Sequence, residues 1–141
     1  MSALFGPAGN CEAFHAAGYK ATIQVFGWLE QHGLHAYEYQ CGRGVRVSAE
    51  SATALGEAAA RCDIAISLHA PYFISLASAE EEKRDNSIRY ILESARAVTQ
   101  MGGTRIVVHP GGLGGLSRPE ATALASHTLR RAQEALDAEG L

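Results

Sequence analysis

The 141-residue sequence predicts an α/β protein of four strand–helix units, a (βα)4 arrangement of parallel strands equal to half of a closed (β/α)8 barrel. Three observations lead there. Short aliphatic runs alternate with longer stretches of helical periodicity, as in a parallel sheet covered by helices. Two of those runs end in histidine and break at once into a proline-containing loop, Ser67-Leu68-His69-Ala70-Pro71 and Val107-Val108-His109-Pro110-Gly111. The units also average ~35 residues, and eight of them build a barrel of ~250.

The first strand is expected near residues 4–6, passing into Gly6-Pro7-Ala8-Gly9-Asn10, a turn that no regular element continues through. That turn is either a tight loop or a backbone pocket for an anionic group, with Asn10 then facing the mouth of the barrel. Over 21–32, Val25, Phe26 and Leu29 fall at helical spacing, and Gly33 stands where a helix commonly ends in αL geometry. The second strand spans 34–40, where Tyr37 and Tyr39 favour extended structure and Glu38 points to the opposite face. In a barrel that face is the interior, so Glu38 is a partnered core group or a ligand for a cation. The following loop places Arg43 and Arg46 among glycines; such arginines are solvated side chains or phosphate ligands, and Arg43 is the candidate for substrate.

Ser48 caps a helix over 48–62 whose apolar stripe is Ala52, Leu55, Ala59 and Cys62. The third strand, 64–69, is nearly continuous in apolar residues, as strands covered on both faces are. Ser78-Ala79-Glu80-Glu81 reads as a capping box opening a helix with Ile88, Ile91, Leu92, Ala95 and Val98 aligned, which stops at Gly102-Gly103. The fourth strand is expected at 105–109. After a run of glycines, Ser117-Arg118-Pro119-Glu120 begins a last helix with Leu124, Thr128, Leu129 and Ala132 on one stripe.

Side chains at the C-terminal ends of barrel strands project into one mouth. Neighbouring parallel strands lie roughly 4.8 Å apart, so His69 and His109 can reach one ion at zinc–nitrogen distances of about 2.0–2.1 Å. Either histidine alone reads as well as a half-buried residue bonded to a backbone carbonyl, but the repeated strand, histidine and proline loop points to a metal pair. A zinc site takes at least three ligands from protein. Two are in hand, with Glu38 as the only interior carboxylate to add.

Charged residues make up 19% of the chain, hydrophobic ones 47%, and the net charge is −3, which describes a globular protein and does not advertise nucleic-acid binding. Cys11, Cys41 and Cys62 are odd in number and contain no CxxC pair, so neither a disulfide framework nor a zinc knot is expected, and a cytoplasmic location fits. No secretion signal and no apolar run approaching the ~18 residues of a membrane span is present.

Taken together, these motifs resemble the N-terminal half of the endonuclease IV-like proteins, the family 2 AP endonucleases within the xylose isomerase-like TIM barrels. The resemblance rests on His69 followed by Tyr72, Phe73, Ile74 and Leu76, and on His109-Pro110-Gly111 about forty residues later. It extends to Gly6-Pro7-Ala8-Gly9-Asn10 and Glu38-Tyr39-Gln40-Cys41-Gly42-Arg43-Gly44-Val45, which look like an uncharacterised bacterial branch of the family. It implies a metal-dependent phosphodiesterase cutting DNA beside abasic sites, with a zinc cluster, manganese being the alternative metal, at the mouth of a TIM-type barrel. By motif position His69 and His109 are two of the ligands, and Tyr72 and Phe73 belong to a loop that enters the DNA groove. The DNA-repair branch carries polar residues where this chain has Ala70 and Pro71. The family's other ligands belong to strands five to eight.

A single half-barrel domain over 1–141 is therefore expected to need the remaining half of the barrel or a second copy. Two other functions fit the same residues: a sugar isomerase or epimerase of the same barrel family acting on a phosphorylated or sugar small molecule, and a non-catalytic half-barrel that serves as an assembly module.

Overall fold

In the computed structural model, which describes residues 3–141, helices cover one face of a small parallel sheet. The elements run α1 (Glu12–Ala16), a 3-10 turn (Thr22–Gln24), α2 (Val25–Gln31), β1 (Ala36–Gln40), α3 (Ala49–Arg61), β2 (Ala65–His69), α4 (Glu81–Gln100), β3 (Ile106–Val107) and α5 (Arg118–Glu139). The strand order is β1-β2-β3. Both pairings are parallel, with Ala36 opposite Ala65 through Gln40 opposite His69, and Leu68 and His69 opposite Ile106 and Val107. This is the α/β half-barrel layout that the alternating units predict.

The register divides the sheet into two chemically distinct faces. Tyr37, Ile66 and Leu68 are buried on the helix side with Phe14, Val25, Phe26, Leu29 and Leu55. The intervening Glu38, Gln40, Ser67, His69 and Val107 take the other face, because successive side chains alternate along a strand. A second core of Ala70, Ile74, Leu76, Ile91 and Ala132 joins the loop after β2 to α4 and α5. There the Thr128 hydroxyl is within 2.9 Å of the Leu76 carbonyl, and Arg131 and Arg96 pair with Asp85 and Glu139 across the two helices.

The expected strand at 4–6 is not a strand. The segment still lies beside β1: Ala36 N–H donates to the Phe5 carbonyl (3.1 Å), Glu38 N–H to Pro7 (3.1 Å) and Gly9 N–H to Glu38 (2.9 Å), with one isolated bridge between Ala8 and Glu38. Pro7 has no N–H to give and Gly9 turns away at φ +76, so a regular ladder cannot run through. The strand expected at 105–109 shortens to Ile106–Val107, as Pro110 and Gly111 bend the chain. The capping box at Ser78 does not form either. Its hydroxyl accepts from Glu80 N–H, two residues on, so the helix begins at Glu81. The last helix does begin at Ser117-Arg118-Pro119-Glu120 as expected, and there a capping box forms, with Glu120 accepting from the Ser117 N–H at 2.9 Å. Leu129 is 45% exposed, and the buried stripe of α5 is instead Ala121, Thr128 and Ala132. Helix α1 carries too little periodicity in its five residues to announce itself.

The N-terminal segment sits so close to β1 that a Cβ at Gly6 would lie 1.6 Å from the Ala36 carbonyl oxygen. That atom is backbone and cannot swing aside. Gly6→Ala is expected to destabilise the protein by about 1–3 kcal/mol, the usual cost of overpacking, read as a lower midpoint in urea. An unchanged midpoint would mean that the segment is not docked on β1.

Candidate functional site

His69 closes β2, and the strands on either side fix its height. Its carbonyl accepts from Cys41 N–H at the end of β1 (3.0 Å), and the next residue, Ala70, donates to the Val107 carbonyl of β3 (2.9 Å). His109 stands two residues beyond Val107. It is brought inward because the Pro110 carbonyl accepts from Leu76 N–H (2.9 Å) and Gly111, at φ +86, packs on the backbone of Ser75. The two loops are thus joined behind the histidines.

The outcome is direct convergence: the Nε2 atoms of His69 and His109 are 3.0 Å apart and the ring centroids 4.9 Å. His69 Nδ1 is 2.9 Å from the Ala70 carbonyl, which can only accept, so Nδ1 carries the proton and Nε2 presents its lone pair. His69 is also buried, at 8% exposure. Two zinc–nitrogen bonds at a tetrahedral angle hold their nitrogens roughly 3.3 Å apart. The pair therefore needs to open by a few tenths of an ångström to share an ion, and a carbonyl on the far nitrogen is the usual partner that orients a ligating imidazole. As two ligands of a larger set the residues fit a divalent metal. Among the described residues no group of three or more His, Cys, Asp or Glu could hold one.

Other predicted residues divide between the mouth and the scaffold. Tyr72 is 65% exposed, with its ring 5.1 Å from that of His69 and 6.2 Å from that of His109. Phe73 is 56% exposed and leans on Tyr90 with ring centroids 5.8 Å apart. Arg43 and Arg46 line a cleft of about 510 Å³ with Tyr39, Gln40 and Tyr72, and among the described residues neither has a carboxylate partner.

Glu38 lies on the sheet face of His69, but its carboxylate accepts from Gln40 (3.0 Å) and does not complete a metal set with the histidines. Asn10 does not face the mouth with a free amide. Its oxygen accepts from Tyr37 OH (2.8 Å) and its nitrogen donates to Thr22 (3.1 Å), which makes it a tie between the first loop and the helix layer. Burial lifts the Tyr37 phenol far above its ordinary range, so it remains that donor. Sequence reasoning overlooked Gln40, which pairs with His69 on the same face of the sheet. Its signal was available in its position, two residues past Glu38 at the end of a strand.

An open parallel sheet with helices on one face and strand-end histidines in a common mouth defines the chain as barrel-forming α/β. It belongs to the xylose isomerase-like TIM barrel family, whose model matches residues 26–141. A 39% identical relative over 83 residues is an uncharacterized protein of Methanocaldococcus jannaschii, aligned over 59% of this chain and 29% of that protein. A probable endonuclease 4 of Acholeplasma laidlawii is 34% identical over 64 residues, 45% of this chain and 22% of the relative. Among solved structures, endonuclease IV from Thermus thermophilus is similar at TM-score 0.51 and 26% identity, over 81% of this chain and 44% of that one. A D-tagatose 3-epimerase-like protein shares the fold at TM-score 0.66 and 24% identity, over 82% of this chain and 45% of that one. The chain spans less than a third of those curated relatives and less than half of those structures. The endonuclease IV-like resemblance read from the motifs is thus present in both comparisons.

Cys41 is the thiol nearest the mouth, and burial pushes it up to about 11. At pH 8 it is almost wholly protonated, a state in which it neither ligates a metal nor attacks an electrophile. Iodoacetamide at pH 8 is expected to label Cys41 more slowly than the partly exposed Cys11, with peptide mass mapping as the readout. Its rate should climb about tenfold per pH unit until the thiol titrates. Preferential labelling of Cys41 would contradict its buried, neutral state.

Proposed function

We propose that this chain supplies part of the metal-binding mouth of a metal-dependent phosphodiesterase of the endonuclease IV kind, acting on DNA at abasic sites. The observation that carries this reading is the 3.0 Å approach of the two Nε2 atoms, with His69 held in the tautomer a ligand needs. His69 and His109 would hold a divalent ion, zinc or manganese. Once bound, such an ion supplies Lewis acidity toward a phosphate oxygen and a more acidic water.

The chain's own residues contribute around that point. Arg43 and Arg46 offer planar, permanently charged donors for a phosphate, Tyr72 presents an exposed ring beside them for stacking on a nucleotide, and Phe73, exposed in the same loop, offers a second ring. The endonuclease 4 relatives support the DNA reading, while the epimerase-like structures support the shared fold. The open sheet face, with Val107 38% exposed and Gln40 unburied, is to be covered by the complementary half of a barrel, either further sequence or a second copy. Among the described residues no helix is long and apolar enough to cross a membrane, and three unpaired cysteines support a reducing, cytoplasmic setting.

Two imidazoles leave the rest of the coordination sphere to water, so the 141-residue chain is expected to hold zinc weakly and to lose most of it on dialysis. His69→Ala and His109→Ala should each remove the residual binding, measured by metal analysis at several zinc concentrations. The chain as a monomer should not cleave an abasic duplex with zinc or manganese. Tight binding unaffected by either substitution would overturn the metal assignment. Robust cleavage by a monomer, abolished by His109→Ala, would show that these residues suffice for catalysis.

A further inference from the structure

We infer that Gly42 is a positioning residue that acts through Tyr72, seating its ring as the wall shared by the histidine pair and the arginine cleft. The inference deepens the proposed site and rests on that reading for its functional meaning, though not for its geometry. Three contacts carry it. A Cβ at Gly42 would lie 2.6 Å from Tyr72 Cε2 and 3.0 Å from Cδ2, so the edge of the ring occupies the volume a side chain would take. The Tyr72 N–H donates to the Gly42 carbonyl at 3.2 Å, which fixes the backbone of one loop against the other. The ring so placed stands 5.1 Å from His69 on one side and lines the cleft of Arg43 and Arg46 on the other.

The glycine is not there for its backbone freedom. Gly42 does not have a positive φ, whereas Gly44, two residues on, does at +103. The turn itself is closed by Gly44 N–H donating to the Cys41 carbonyl at 2.8 Å, and the three atoms nearest to a Cβ at position 42, beyond its chain neighbours, all belong to Tyr72. What alanine meets is the Tyr72 ring. At 65% exposure the Tyr72 ring is held on its open side by little, so a side chain at position 42 would push it away from His69 toward solvent. A seated ring sets how a ligand that reaches both the imidazoles and the guanidinium groups must pass between them, so Gly42 helps to fix the shape of ligand accepted.

The test is Gly42→Ala in the full chain, with Tyr72→Ala and the double variant beside it. In the unsubstituted protein, nuclear Overhauser contacts between the Tyr72 and His69 ring protons are expected; in Gly42→Ala they should vanish while the His69–His109 ring contacts remain. The drop in urea midpoint caused by Gly42→Ala should disappear in the Tyr72→Ala background. An equal drop in both backgrounds, or Tyr72–His69 contacts that survive the alanine, would overturn the inference. If zinc binds, it should shift the Tyr72 ring resonances in the unsubstituted protein and much less in Gly42→Ala. If zinc does not bind at all the functional reading falls, but the ring contacts and the double-variant comparison still decide the role of Gly42.

Discussion

The parallel pairing of β2 with a strand on each side is the constraint on which the site depends. It sets Gln40, His69 and Val107 at one level and on one face. A slip of one residue in either pairing would turn His69 to the helix side and put Leu68 in the mouth, because side chains alternate with period two. The register is held by burial: Tyr37, Ile66 and Leu68 each have a place in the core under the sheet, and none could be exchanged for its polar neighbour without stranding a charge or hydroxyl there. The hydrophobic effect thus fixes the height of an imidazole that makes no apolar contribution of its own.

A second layer of order comes from the loops. The β2–α4 loop is the common support, receiving the Pro110 carbonyl on Leu76, the Gly111 backbone on Ser75 and Gly42 on the Tyr72 ring. Its own fold is anchored below by Ile74 and Leu76 in the core and by the Ser87 hydroxyl, which accepts from Ser75 N–H at 2.9 Å. Loops supported in this way hold functional side chains in place before a ligand arrives, which reduces the ordering cost of binding. The sheet face away from the helices carries polar and exposed residues instead, Glu38, Gln40, Ser67 and Val107.

Much of this was legible in the sequence because the signals were chemical and local. Histidines at the ends of apolar runs, proline within two residues of them and glycine after helices such as α2 and α4 give strand ends, loop starts and helix stops without reference to anything distant. What the sequence hid was decided by partners far along the chain. Asn10 carries no mark that Tyr37 and Thr22 will take both ends of its amide. Nothing in Pro7 and Gly9 announces that their segment will lie beside β1 without forming a strand. Leu129 fits a helical stripe by spacing, but α5 packs along Ala121, Thr128 and Ala132, whose small side chains bring it close to its neighbours. Glu38 lies on the sheet face away from Tyr37 and Tyr39, as strand alternation predicts, and only the geometry shows that Gln40 engages its carboxylate.

Sheet register brings the Nε2 atoms of His69 and His109 within 3.0 Å of each other, and the bond to the Ala70 carbonyl leaves the lone pair of His69 Nε2 facing that point. Long-range proton–nitrogen NMR of the six histidine side chains tests it directly, since it reports which nitrogen of each ring carries the proton. The account predicts His69 in the Nδ1–H form, and zinc perturbing the Nε2 atoms of His69 and His109 together, ahead of His15, His32, His35 and His127. His69 carrying its proton on Nε2, or zinc engaging another histidine first, would contradict it.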